Sequence, residues 1–119
     1  MKKPVIYGIK NCDTMKKVFQ WLDKHKIEYD FHDYKKHGAD KALVEKAFEV
    51  FGWEEALNRK GTTWRKLPED VREGMTKAKA LKIALENPSI LKRPMIIAGR
   101  DMILGFDEAV FARKLAGGK

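Results

Sequence analysis

Apolar and polar positions change period along the chain, and each change marks an element. Val5-Ile6-Tyr7-Gly8-Ile9 is a short apolar run closed by Lys10-Asn11, the pattern of a buried strand and a turn. From Asp13 to Lys26 the residues Met15, Val18, Phe19 and Leu22 recur at i, i+3, i+4 and i+7, which predicts an amphipathic helix. Asp13 and Thr14 suit its electropositive first turn and its capping needs. Ile27, Tyr29 and Phe31 then alternate with Glu28, Asp30 and His32, the two-residue period of a second strand. A strand, a crossover helix and another strand make a right-handed βαβ unit with parallel strands.

From Ala39 to Asn87 the pattern is helical with interruptions. Leu43, Ala47, Phe48 and Phe51 share one helix face that ends near Gly52, and Trp53 to Leu57 is a further helical turn. Asn58 to Lys66 reads as a loop, Pro68 opens another helix, and Ala80, Leu81, Ala84 and Leu85 belong to a last one stopped by Asn87-Pro88. Strands return as Pro94–Ala98 and Met102–Leu104 around Gly99-Arg100-Asp101, a hairpin signal. Asp107 caps a final helix through Val110, Phe111 and Leu115. The expected fold is α/β and thioredoxin-like: β-α-β, a helical insertion at about 39–90, then β-β-α, with a mixed central sheet in a single domain spanning 1–119.

Composition narrows the setting. Lys and Arg number 25 against 17 Asp and Glu, a net charge of +8 that attracts oxyanions, carboxylates and nucleic acid alike, or is simply a solvated surface. No helix-turn-helix signature is present, and Trp21, Phe19 and Phe111 read as core rather than a stacking platform, so direct nucleic-acid binding is not expected. No apolar run approaches the ~20 residues of a membrane span, and no export signal opens the chain. A single cysteine forbids an internal disulfide and removes the ordinary cysteine-pair zinc site, pointing to the reducing cytoplasm and to no metal.

That cysteine carries the candidate chemistry. A lone cysteine is often a small buried hydrophobe, but Cys12 lies between a strand end and the first turn of a helix. There, unpaired backbone N–H groups and nearby cations such as Lys10, Lys16 and Lys17 stabilise a thiolate. Three residues on, where a dithiol enzyme carries its second cysteine, stands Met15 on the apolar stripe. Any adduct on Cys12 therefore has to be cleared by an outside thiol, with glutathione the abundant candidate. Arg93-Pro94 opens a strand, and in this fold a proline there is typically cis and beside the thiol, which would bring Arg93 to Cys12. The segment Asn58 to Lys66 holds four cations, two hydroxyls and a glycine, an anion-binding loop or an ordinary solvated one. His25, His32 and His37 show no metal-ligand spacing and read as surface residues, with His32 and Asp33, which close the second strand, as alternative orienting groups.

Tyr7 to Lys17, Phe31 to Lys36, Asn58 to Leu67 and Leu91-Lys92-Arg93-Pro94 together strongly resemble the arsenate-reductase-like (ArsC/Spx) family, closest to its small single-cysteine branch described as glutathione-dependent thiol reductases. The resemblance implies a catalytic cysteine at Cys12 and an oxyanion-binding arginine at Arg93. Glutaredoxin-coupled arsenate reductases hold the oxyanion with three arginines. Here Phe106 stands where the last belongs, and the middle one falls in the Arg59-Lys60 neighbourhood. Losing one clamp costs a factor of about 10² in such sites, which disfavours efficient arsenate reduction.

The site expected on these grounds is Cys12 as nucleophile, with Arg93, Asn11, Arg59, Lys60 and Thr14 toward substrate or oxyanion, and Lys10, Pro94 and Thr62 toward glutathione. No tightly bound cofactor is expected. The function expected is that of a glutathione-dependent monothiol reductase acting on a small oxyanion or disulfide, with glutathione as co-substrate and glutaredoxin as a further partner. Two alternatives stand beside it: a true arsenate reductase, and a non-enzymatic Spx-type regulator that binds RNA polymerase. Spx proteins that switch by oxidation use a Cys-x-x-Cys pair, which Met15 interrupts.

Overall fold

In the computed structural model, which describes residues 3–116, the sheet grows outward from β1 (Val5–Gly8). β1 pairs in parallel with β2 (Asp30–Asp33) and antiparallel with β3 (Met95–Ala98), which turns back into β4 (Asp101–Leu104), giving the order β2-β1-β3-β4. Tyr7 faces His32 on one side and Met95 on the other, and Gly8 faces Asp33. The C-terminal ends of β1 and β2 and the N-terminal end of β3 thus lie on one edge of the sheet. Cys12, Tyr34 and Arg93-Pro94 all issue from that edge.

α1 (Asp13–Lys24) lays Met15, Val18, Trp21 and Leu22 on the sheet, where they join Ile6, Ile96, Ile103 and Phe111 in one core cluster. Phe111 comes from the closing helical turn Glu108–Phe111, whose N-cap is Asp107 as expected: its carboxylate accepts from the N–H groups of Ala109 (3.0 Å) and Val110 (3.2 Å). A π-helical turn, Ala112–Ala116, follows. This β-α-β and β-β-α arrangement is the thioredoxin-like fold.

The second strand begins at Asp30, three residues later than the alternation from Ile27 suggests. The ladder decides this, because Val5 is the first residue of β1 and pairs with Asp30, whose N–H also donates to the Pro4 carbonyl at 3.0 Å. Ile27 and Tyr29 keep their inward alternation without strand partners and pack against the core cluster. Asp13 and Thr14 do not cap α1 with their side chains; Cys12 itself is the N-cap residue, and no side-chain cap is made.

The chain divides into two compact units, Met1–Tyr34 with Arg93–Lys119, and Lys35–Lys92. A turn of helix, α2 (Tyr34–His37), leads into α3 (Lys41–Phe51), whose N-cap Asp40 accepts from the Ala42 N–H at 3.3 Å. α4 (Trp53–Ala56) follows Gly52, whose φ of 85° turns the chain where few side chains are tolerated. Residues expected as loop contain a helical turn, α5 (Thr62–Arg65), started by hydrogen bonds from Arg65 to the Gly61 carbonyl and from Lys66 to that of Thr62. At four residues it is too short to show a period.

α6 (Glu69–Glu73) and α7 (Lys77–Glu86) complete the unit, and Thr76 caps α7 through the Lys79 N–H at 3.2 Å. Ala80 and Ala84 let α7 pack closely on α3, which contributes Leu43, Val44, Ala47 and Phe48. A 3₁₀ turn at Pro88–Ile90 and a bridge between Leu57 and Leu91 close the segment. No described helix is long and apolar enough to cross a membrane.

Candidate active site

Cys12 enters α1 with extended backbone angles, φ −140° and ψ 134°, so the helix starts behind it and its first N–H groups point toward it. The N–H groups of Met15 and Thr14, at the open start of the helix, and the side chain and charge of Arg93 favour the thiolate. Burial is the largest single influence and pushes the thiol up. The groups of Met15, Arg93 and Thr14, with the guanidinium charge, together outweigh it, and Cys12 is held below the ordinary thiol value. The side chain remains half-buried, a compromise between protection and access.

Arg93 reaches the thiol because its peptide bond to the buried Pro94 opens β3 at the shared sheet edge; that bond is cis. The Gly105 N–H donates to the Pro94 carbonyl at 2.8 Å, tying the end of β4 to the same place. Lys10 and Asn11 lie on the exposed bend between β1 and α1, and Thr14 is half-buried behind Cys12. Phe106 is half-buried, edge-on to Phe111 at 5.1 Å and packed against the core, so an apolar ring occupies the position where the family resemblance would set an arginine.

Arg59, Lys60 and Thr62 are exposed and belong to the helical unit. Arg59 and Lys60 line an open depression of about 450 Å³ together with Glu54, Glu55, Asn58 and Lys92. The Arg59 Nε–H donates to the Glu54 carbonyl at 3.1 Å, and Lys92 pairs with Glu55 at 3.7 Å. Two carboxylates therefore share this surface with the cations, and it is a mixed-charge patch rather than a purely cationic cradle.

Met15 is fully buried, and a Cβ built on Gly8 would lie 2.8 Å from its sulfur. The thioether thus fills the space over Gly8 that a second thiol would enter. Met15→Cys places that thiol one helical turn from Cys12, on the same side. On exposure to peroxide the variant is expected to lose two hydrogens by intact mass and to resist alkylation, whereas the wild type accumulates sulfenic acid or mixed disulfides. Persistence of two alkylatable thiols after oxidation would show that the first turn does not bring them together.

One aromatic residue at this edge, Tyr34, escaped the sequence patterns, and it lies among Tyr7 and His32. Tyr34 is 2% exposed, and its ring lies 6.4 Å from that of Tyr7 and 6.1 Å from that of His32. Burial pushes the Tyr34 phenol well above its ordinary value; Tyr7 adds to the effect and Arg93 opposes it. The one available signal was position, since Tyr34 immediately follows a strand that ends at the thiol edge. His32 is correspondingly not a surface residue but half-buried, 5.1 Å from Tyr7. His25 is exposed yet stacks on Trp21 at 4.0 Å, with Nδ1 2.8 Å from the Trp21 carbonyl oxygen. Among the described residues no group of three His, Cys, Asp or Glu side chains could hold a metal ion.

The ArsC family model matches residues 7–113. The chain belongs to the ArsC family. An uncharacterized protein of Haemophilus influenzae is 41% identical over 111 residues, 93% of this chain and 97% of that one. The global transcriptional regulator Spx of Streptococcus agalactiae is 29% identical over 100 residues, 82% of this chain and 72% of its own. Among solved structures, the YffB protein superposes with a TM-score of 0.91 at 45% identity, covering 95% of this chain and 99% of that one. An arsenate reductase (ArsC) related protein from Brucella melitensis follows with a TM-score of 0.77 at 46% identity, covering 94% and 93%. Within this ArsC-family chain the one cysteine, Cys12, is the residue set at the start of α1.

Proposed function

We propose that the protein is a monothiol reductase in which the Cys12 thiolate is the nucleophile and glutathione is the co-substrate. The observation that carries the proposal is the setting of Cys12, the half-buried N-cap residue of α1 whose thiolate is favoured by the Met15 and Thr14 N–H groups and by Arg93, with no second cysteine in the chain. In the simplest cycle the thiolate attacks a substrate disulfide, a bond forms between sulfurs, and the substrate thiolate leaves and takes up a proton from solvent. A glutathione thiolate displaces the second substrate half from Cys12, and another glutathione attacks the resulting mixed disulfide. That last step returns the Cys12 thiolate and releases glutathione disulfide, so two glutathiones supply the two electrons.

Arg93 is the residue proposed to steer an anionic substrate or the glutathione carboxylates, with Asn11, Thr14, Lys10 and Pro94 of the same unit as further candidates. Glutathione disulfide is expected to give one adduct by intact mass that excess glutathione removes and that Cys12→Ser lacks. Alkylation by iodoacetamide should have its pH midpoint below that of a free cysteine, near 8.5. No adduct together with an ordinary midpoint would reject the proposal. The narrower reading, arsenate reduction, requires arsenate turnover with glutathione and glutaredoxin above the Cys12→Ser background. The likeness to Spx regulators motivates the other class, an RNA-polymerase-binding regulator. Retention of RNA polymerase by the immobilised wild-type chain would favour it.

A further inference from the structure

Gly8 closes β1, where the backbone has no conformational need of a glycine. Gly52, Gly99 and Gly105 take φ values of 85°, 61° and 83°, the region that favours glycine, whereas Gly8 keeps the extended backbone of a strand residue in register with Asp33. A glycine inside a strand weakens it, and often marks a place where another group approaches the backbone closely. Met15 makes that approach. A Cβ built on Gly8 would lie 2.8 Å from its sulfur, 2.9 Å from its Cε and 3.5 Å from its Cγ, whereas non-bonded heavy atoms ordinarily meet at about 3.5–4.0 Å. The thioether is flexible, but Met15 is fully buried and shares its close-packed core cluster with Ile6, Val18, Leu22 and Ile96, so its end has little room to swing aside. Met15 is also the third residue of α1, and the adjoining Lys16 N–H donates to the Cys12 carbonyl at 3.0 Å, which ties its backbone into the turn that begins at Cys12. On the other side, Tyr7 precedes Gly8 and faces Met95, the first residue of β3, into which Arg93-Pro94 leads. One contact thus sets the turn that carries Cys12 against the strand end to which Arg93 belongs.

We propose that Gly8 and Met15 are positioning residues of the thiol site, a size-matched seat that fixes the first turn of α1 over the end of β1 and so sets the place of Cys12 at the sheet edge. The inference rests on the reading of Cys12 as a thiolate nucleophile. A methyl group at position 8 takes the space of the thioether, and the displacement that the buried side chain cannot absorb passes to the backbone of the turn. The sulfur and the Met15 and Thr14 N–H groups then shift relative to β3 and Arg93, and the thiolate loses part of what favours it.

Gly8→Ala is expected to displace the pH midpoint of Cys12 alkylation by iodoacetamide upward, and to slow the reaction about two- to threefold below it. In a Met15→Ala background, where no atom beyond Cβ is left to stand over residue 8, the same substitution should raise the midpoint no further. A midpoint unmoved in Gly8→Ala overturns the proposal, whatever happens to the melting temperature, as does a full additional rise on top of Met15→Ala. Should Gly8→Ala not fold, Met15→Ala with the glycine kept decides the matter. An empty seat frees the turn and the midpoint should rise; an unchanged one overturns the proposal. In the wild-type chain itself, a ¹³C-labelled Met15 methyl should show a nuclear Overhauser effect to the Gly8 α protons, and its absence overturns the proposal as well. A wild-type Cys12 that titrates as an ordinary thiol overturns both this proposal and the thiolate reading. A depressed wild-type midpoint indifferent to residues 8 and 15 overturns this proposal alone.

Discussion

Arg93→Ala is expected to raise the pH midpoint of Cys12 alkylation and to slow the reaction about three- to tenfold at pH values below both midpoints. The substitution removes a polar side chain and its positive charge, both of which favour the thiolate, while the burial that opposes them remains. A more basic thiolate is also the better nucleophile, with a Brønsted coefficient of about 0.4–0.5, so each tenfold loss of thiolate costs only about threefold in rate. Above both midpoints that compensation acts alone, and the variant should match or exceed the wild type. The two pH–rate profiles therefore cross. Superimposable profiles would remove Arg93 from the site.

The same shift has a consequence for stability. A thiol held below its ordinary value when folded stabilises the protein above the unfolded-chain value, and that contribution disappears as pH falls through the folded one. Arg93→Ala should accordingly narrow its stability deficit as the solution is made more acidic through this window. Arg93→Lys keeps a charge but not the planar fork, and should fall between the two.

Phe111→Ala is expected to cost about 3–5 kcal/mol of stability, a large part of the ~5–15 kcal/mol of a typical domain. Phe111 is fully buried, edge-on to Trp21 at 5.2 Å and to Phe106 at 5.1 Å, and it comes from the far end of the chain to complete the cluster under α1. Removing the ring leaves a cavity that three separate elements must collapse to fill. Urea unfolding followed by tryptophan fluorescence measures the loss, since Trp21 lines the cavity. A cost under about 1 kcal/mol would mean that the closing turn does not seal this core. In the still-folded variant the alkylation midpoint should stay at the wild-type value, because the groups that favour the Cys12 thiolate come from its own helix turn and from Arg93.

Much of this was legible in the chain itself, and the exceptions share a cause. The stripe Met15, Val18 and Leu22 announced α1, and the Asp107 cap and the Gly99-Arg100 turn are local devices whose residues are adjacent in sequence. Two short elements were missed: α5 and α2 are four-residue turns, below the length at which a period can be seen. The start of β2 failed for another reason. Ile27 to Phe31 alternates properly, but a strand needs a partner, and β1 supplies one only from Asp30 onward. The role of Asn58 to Lys66 stayed open in the sequence because composition does not show that Arg59 is engaged by the Glu54 carbonyl, or that Glu54 and Glu55 share the surface.

The sequence by itself determined that there is one thiol, that it stands at the start of an amphipathic helix, and that Met15 denies it an internal partner. Those are properties of neighbours along the chain, and local periodicity reports them faithfully. The tertiary structure decided whether that thiol is activated. Burial alone would have pushed it up; the local N–H groups of Met15 and Thr14 oppose that together with Arg93, brought from a distant segment by the antiparallel pairing of β3 with β1. The parallel pairing of β2 with β1 sets Tyr34 at the same edge, its hydroxyl buried and unbonded among the described residues. Strand register between remote segments has no local signature, because it is selected by the packing of the whole core, and the chemistry of Cys12 depends on it.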